Sequence, residues 1–173
     1  MVYLPKENGK ARKVSFAVIV FAVLLWMISA LEFKFHAVVQ VISVGFMVVG
    51  LQILIRYVLS AFRYVVEYSD DGSADLLIFK GQGSREAKVC HVALDRVVAL
   101  FKLTDLPKFQ EKYGTTANRF NYCQNMGKDA QWVLLFRDGE RIIEVRFEPD
   151  EAMIGMINSA IGVGEQSGRG FAM

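Results

Sequence analysis

A thiol, an imidazole and an amide can form a nucleophile, its base and its orienting group, and this chain offers Cys123, His91 and one of Asn121 or Asn125. No spacing ties them together. In a strand, alternation sets Phe120 and Tyr122 on one face and Asn121, Cys123 and Asn125 on the other, while His91 points away from Cys90. An unreactive thiol and a solvent-side histidine are therefore expected. A metal site would need Cys90, His91, Cys123 and His36. Two of these are strand neighbours facing apart and His36 lies in a different segment, so neither a metal nor any other cofactor is expected. Gly81-Gln82-Gly83-Ser84 opens a strand rather than a helix and lacks the lysine–serine pair of a phosphate loop; it reads as a turn.

Two weaker sets remain. Lys80, Arg85 and Lys88 surround that glycine turn, with Glu86 among them, and are candidate contacts for an anionic lipid headgroup. Residues 63–173 nonetheless carry 14 Lys and Arg against 16 Asp and Glu, so this part of the chain is not basic. Charge beside a hairpin turn also keeps strand edges from sticking. Gln40 and Gln52 stand in long apolar runs and are candidates for contacts between helices, with Ser15 or Ser29 as partners, worth about 1 kcal/mol each. Gly45 and Gly50 lack GxxxG spacing.

The elements that would position these groups follow from composition. With 173 residues the chain holds one domain plus an attachment device; 53% hydrophobic content is high for a soluble protein, while 22% charged is ordinary. These values exclude a disordered chain, a disulfide-stapled miniprotein and a large multidomain enzyme. A net charge of +2 disfavours nucleic acid as a partner. The apolar residues are concentrated: between positions 14 and 62 the side chains that titrate near neutral pH or carry charge are Glu32, Lys34, His36 and Arg56.

Residues 14–31 form an uncharged run about 27 Å long as a helix, enough to cross a bilayer. Residues 37–55 form a second, extendable to Phe62 if Arg56 reaches the headgroups. A five-residue link makes the two helices antiparallel, a transmembrane hairpin. A signal peptide would have a shorter apolar core, and a soluble helical hairpin would carry a polar face. Lys6, Lys10, Arg12 and Lys13 precede the hairpin and Arg56 and Arg63 close it, against Lys34 alone in the link. The positive-inside rule then places both termini in the cytoplasm. Cys90 and Cys123, without paired spacing, suit a reducing compartment.

Beyond the hairpin the period changes to two. Strands are expected at residues 63–68, 75–80, 88–94, 97–103, 119–125, 131–137 and 141–147, with Asp138-Gly139 the clearest hairpin turn. In the last, Ile143, Val145 and Phe147 alternate with Glu144 and Arg146, predicting one wet face. Within residues 104–118, the portion LPKFQEKYG suits a short helix. Glu148-Pro149-Asp150 predicts a helix start, with Ile154, Ile157 and Ile161 as its apolar stripe and Gly162 and Gly164 as its end.

About seven antiparallel strands closed by one C-terminal helix, with the stretches VCHVALDRV, RFNYCQN and VRFEPDEAMIGMIN, resemble small bacterial membrane proteins that carry a transmembrane hairpin and a pleckstrin-homology-like domain. The resemblance implies a mainly β, α+β barrel and a membrane-tethered binding or assembly module without catalytic activity. The expected organisation is a basic cytoplasmic arm (1–13), the hairpin (14–62), the cytoplasmic domain (63–163), able to fold without the hairpin, and a disordered tail (164–173). Partners would be membrane lipids and either a protein or further copies of the chain, at the bacterial inner membrane. An accessory subunit of a larger membrane complex is the second reading, and a thiol-dependent enzyme using Cys123 the third.

Overall fold

The structure, a computed structural model, describes residues 1–7, 9–31, 34–70, 72–81, 85–113 and 116–168. Expectations touching Glu32, Asp71, residues 82–84 of the glycine turn and residues 169–173 of the tail lie outside these. The chain divides into two compact units, Glu7–Ala61 and a discontinuous one made of Met1–Lys6 with Phe62–Met173.

The first unit is a pair of helices, α1 (Lys10–Ser29) and α2 (His36–Ile53), the second running into a π-helical turn at Leu54–Val58. Both are long and apolar enough to cross a membrane. Their large side chains face outward from the pair, Phe16 at 70% and Val41 at 73% exposure. Small residues make the contact between them. Ser15, Ala22 and Ser29 recur every seven positions on α1 and are buried, as are Ser43 and Gly50 on α2. Ser15 Oγ donates to Gly50 O and Ser43 Oγ to Ala22 O, both at 2.9 Å. Seven-residue spacing keeps one seam facing the partner helix. A Cβ at Gly50 would stand 2.7 Å from Ile19 Cγ1, so glycine is what permits the close approach. Gln40 is half-buried and Gln52 exposed; the described bonds across the seam are those of the two serines. Ser29 bonds within its own helix, to Trp26 O.

The second unit holds two four-stranded sheets. The first runs β1 (Val2–Tyr3), β2 (Phe62–Tyr68), β3 (Ala74–Lys80), β4 (Ala87–Ala93), all antiparallel. The second has the order β5 (Val97–Lys102), β7 (Trp132–Asp138), β8 (Arg141–Phe147), β6 (Asn118–Asn121). Within the basic arm, Val2 and Tyr3 pair with Val65 and Tyr64; two residues carry too little alternation to read as a strand. Two expectations are corrected here. The sheets are not closed into one barrel. Nor are the strands all antiparallel, since β6 pairs with β8 in parallel, its chain arriving through the helix α3 (Leu106–Tyr113) instead of a tight turn. The β7–β8 loop is Gly139-Glu140, one residue later than expected, with Gly139 at φ 61°.

The main core joins inward residues of both sheets, Tyr64, Val66, Leu76, Ile78 and Val92 with Leu134, Val145 and Phe147. Helix α4 (Glu151–Gly168) adds Met153 and Ile157, both fully buried. Asp150 Oδ1 accepts from Met153 N at 2.8 Å and caps it. The buried stripe begins at Met153, one turn before Ile157, and Ile154 is only half-buried. The helix also continues past Gly162 and Gly164 to Gly168, since glycine costs about 1 kcal/mol in a helix without forbidding it. The outer face of the second sheet is not wet. Phe101, Leu103, Val133 and Leu135 form a second core beneath Leu106 and Phe109 of α3, with the Phe101 and Phe109 rings stacked at 3.8 Å.

Ile157→Ala in the full-length protein should cost about 2–5 kcal/mol of unfolding free energy in the sheet unit, measured by denaturant titration. Asn158→Ala, on the exposed side of the same helix, should stay within about 0.5 kcal/mol of the parent.

Candidate functional site

The thiols are buried rather than presented. Cys123 is fully buried and its N–H donates to Asn121 Oδ1. His91 Nε2 lies 3.0 Å from Asp75 Oδ2 on the neighbouring strand β3. That contact gives the imidazole a carboxylate partner in place of a thiol. Cys90 is half-buried, and burial raises its pKa more than the nearby Tyr122 hydroxyl lowers it. Burial likewise pushes Tyr122 up to about 12, and its hydroxyl donates to Val89 O at 3.1 Å. Both groups are thus held in their protonated forms at neutral pH. Among the described residues, no three His, Cys, Asp or Glu side chains come together as a metal site.

Lys80, Arg85 and Lys88 are exposed at the β3–β4 turn, with Lys80 opposite Ala87 and Lys88 opposite Phe79. The acid among them is already engaged. Arg63 clamps Glu86 with Nε at 2.9 Å and Nη2 at 2.5 Å, and its guanidinium lies 4.5 Å from the centre of the Phe79 ring. Glu86 is therefore compensated by a fourth cation. Among the described residues Lys80, Arg85 and Lys88 have no ion-pair partner. Gly81 holds the turn at φ 140°, where a Cβ would meet Arg85 O at 2.3 Å.

Two buried carboxylates were not visible as sites in the sequence. Glu144 lies on the outer face of β8, fully buried, with Arg119 Nε at 3.0 Å, Arg146 Nε at 2.5 Å and Thr116 Oγ1 at 3.3 Å. The amphipathic segment that became α3 was the available signal, since its apolar side needs a sheet face to cover. Glu148 sits where β8 passes into α4. It accepts from Asn125 N at 3.0 Å and from Asn125 Nδ2 at 2.9 Å. Asn125 Nδ2 also donates to Lys6 O at 2.9 Å, and the Tyr3 and Tyr64 rings stack 6.3 Å apart. The Tyr64 hydroxyl donates to Tyr122 O at 3.0 Å and accepts from Glu148 N at 3.3 Å. This cluster fastens the segment that precedes the hairpin to the sheets that follow it. Its contacts lie 23 to 119 positions apart in the chain, beyond any local pattern.

Burial raises the pKa of Glu148, against the opposing pull of its bonds from Asn125 and Gln124. The folded protein therefore binds this proton more tightly than the unfolded chain, and stability falls as pH rises from the ordinary value of 4.5 through the raised one. Glu148→Gln keeps an acceptor for Asn125 and cannot ionise. The wild type should lose stability relative to this variant as pH climbs from about 4.5 toward neutrality, with the difference level above that. Parallel pH profiles from denaturant unfolding would remove the assignment. Glu148→Ala strands two Asn125 donors and should cost about 1–3 kcal/mol.

Comparison with protein-family models, with curated proteins and with solved structures finds no match to this chain.

Proposed function

We propose that the protein is a membrane-tethered, non-enzymatic binding or assembly module that displays its sheet unit at the cytoplasmic face of a bacterial inner membrane. The observation that carries this reading is the pairing of β1 with β2. Strand β1 precedes the two apolar helices and β2 follows them, so the folded unit holds both ends of the hairpin. Two crossings return the chain to the side it left, and this pairing requires the same. The outward-facing large apolar side chains favour lipid around both helices. Lys10, Arg12 and Lys13 at the start of α1, with Arg56 near the end of the second span, favour the cytoplasm for that side.

For the sheet unit we favour a pleckstrin-homology-like fold. Support comes from the three-stranded antiparallel run β2–β4, the β7–β8 hairpin and a C-terminal helix whose Met153 and Ile157 pack between the two sheets. Binding is favoured over catalysis because the candidate nucleophile Cys123 is buried and His91 has another partner. Lipid headgroups at Lys80, Arg85 and Lys88, and a protein partner or second copy of the chain, are the proposed ligands. The accessory-subunit reading keeps the same topology and differs in placing the main contacts on the hairpin.

Phe35→Cys, in the link, should be labelled by a membrane-impermeant thiol reagent in intact cells, and Lys80→Cys only after permeabilisation. The reverse pattern would overturn the orientation, and equal labelling of both in intact cells would overturn the tether. Crosslinking from the native membrane should recover a partner or a second copy; a chain that remains alone would count against the binding role.

A further inference from the structure

We propose that the hairpin holds one anionic phospholipid in a groove at the start of α1. This rests on the membrane reading above. The groove is about 670 Å³, within the range of small-molecule sites, and its lining includes Arg12, Lys13, Ser15, Phe16, Ile19 and Leu54. Its lining changes character along its length. Arg12 and Lys13 stand in the first turn of α1, Phe16 and Ile19 one and two turns further in, and Leu54 faces them from the π-helical turn. Cations at one end and apolar walls at the other match a phosphate headgroup continued by an acyl chain.

Charge complementarity decides the occupant. Arg12 and Lys13 are exposed, and among the described residues neither is ion-paired; the first turn of α1 contains no acid. A second protein helix would leave the two cations facing an apolar surface, whereas a free anion would leave the apolar walls uncovered. Ser15, also in the lining, donates its hydroxyl proton to Gly50 O. Lys80, Arg85 and Lys88 are not among its lining residues and belong to the other unit.

The test is native mass spectrometry of the full-length protein in detergent, titrated with phosphatidylglycerol and with phosphatidylcholine. One retained phosphatidylglycerol per chain is expected, with at least about tenfold preference over phosphatidylcholine. Arg12→Gln with Lys13→Gln should weaken retention about tenfold or more, and Lys128→Gln, an exposed lysine outside both proposed lipid sites, should leave it unchanged. Phe16→Ala removes an apolar wall without touching the seam, since that ring is 70% exposed, and should weaken retention several-fold. Equal retention of both lipids, or an unchanged affinity in the Arg12/Lys13 variant, would overturn the site. So would glycerol 1-phosphate competing as well as the lipid, because the apolar walls would then contribute nothing. Phe35→Cys labelling in the Arg12/Lys13 background separates the two readings: normal labelling with unchanged lipid retention overturns the groove alone, and a chain that fails to insert even in its parent form overturns both.

Discussion

Met1 N donates to Val66 O at 2.6 Å and Val66 N returns a bond to Met1 O at 2.9 Å, joining residues 65 positions apart. Closing so long a loop from a flexible chain carries an entropic cost, although each doubling of length adds only about 0.6 kcal/mol. Contacts within the intervening segment offset part of that cost. The Ser15–Gly50 and Ser43–Ala22 bonds hold α1 and α2 side by side, so the chain leaving and the chain returning are already neighbours. Helices in contact run about 8–10 Å apart, and neighbouring strands pair at about 4.8 Å. The seam of small residues is thus what makes a two-residue strand affordable to the fold. Gly50 is its narrowest point, and the groove proposed for lipid opens beside it.

The two buried carboxylates show how differently the sheet unit treats similar charges. Glu144 lies between two arginines, so its charge is met by charge. Removing one partner from such a group is costly, although an apolar replacement of the whole set is often neutral. Glu148 has amide donors instead, from one asparagine and its neighbouring backbone, which hold the carboxylate in place without cancelling its charge. Glu148 is responsive to proton concentration, since burial raises its pKa. It is also the one that reaches Lys6 through Asn125, next to the start of the hairpin.

Local rules recovered what local rules govern. The apolar runs, the β7–β8 hairpin, the short helix at Leu106–Tyr113 and the cap before α4 follow from period, turn residues and capping chemistry within a few positions. Long-range pairing was not legible. Val2 and Tyr3 look like any two residues until Val65 and Tyr64 stand opposite them. Glu144 followed the alternation of an outward strand position, yet it is fully buried against Arg119, Arg146 and Thr116. In the helices, Ser15 and Ser29 were named as partners for Gln40 and Gln52, whereas Ser15 and Ser43 themselves bridge the seam to backbone carbonyls. A polar side chain in an apolar run is conspicuous by chemistry, yet the contact was written in size and a seven-residue spacing at Ser15, Ala22 and Ser29. At the basic turn the residue types were legible, while the engagement of Glu86 by Arg63, 23 positions away, was not.

The placement of β1 also sets an order of events during synthesis. Its two residues are made before the hairpin and their partners after it, so the strand waits while both apolar helices are translated. At about 5–20 residues per second that interval is several seconds, far longer than the microseconds in which a neighbouring strand would find its mate. During it Val2 and Tyr3 have no ladder to join, and the four-stranded sheet is short of its edge even once β2 to β4 have emerged. Completion of the first sheet therefore waits on synthesis of both apolar helices: until Val2 and Tyr3 pair with Val65 and Tyr64, the edge of β2 stands open.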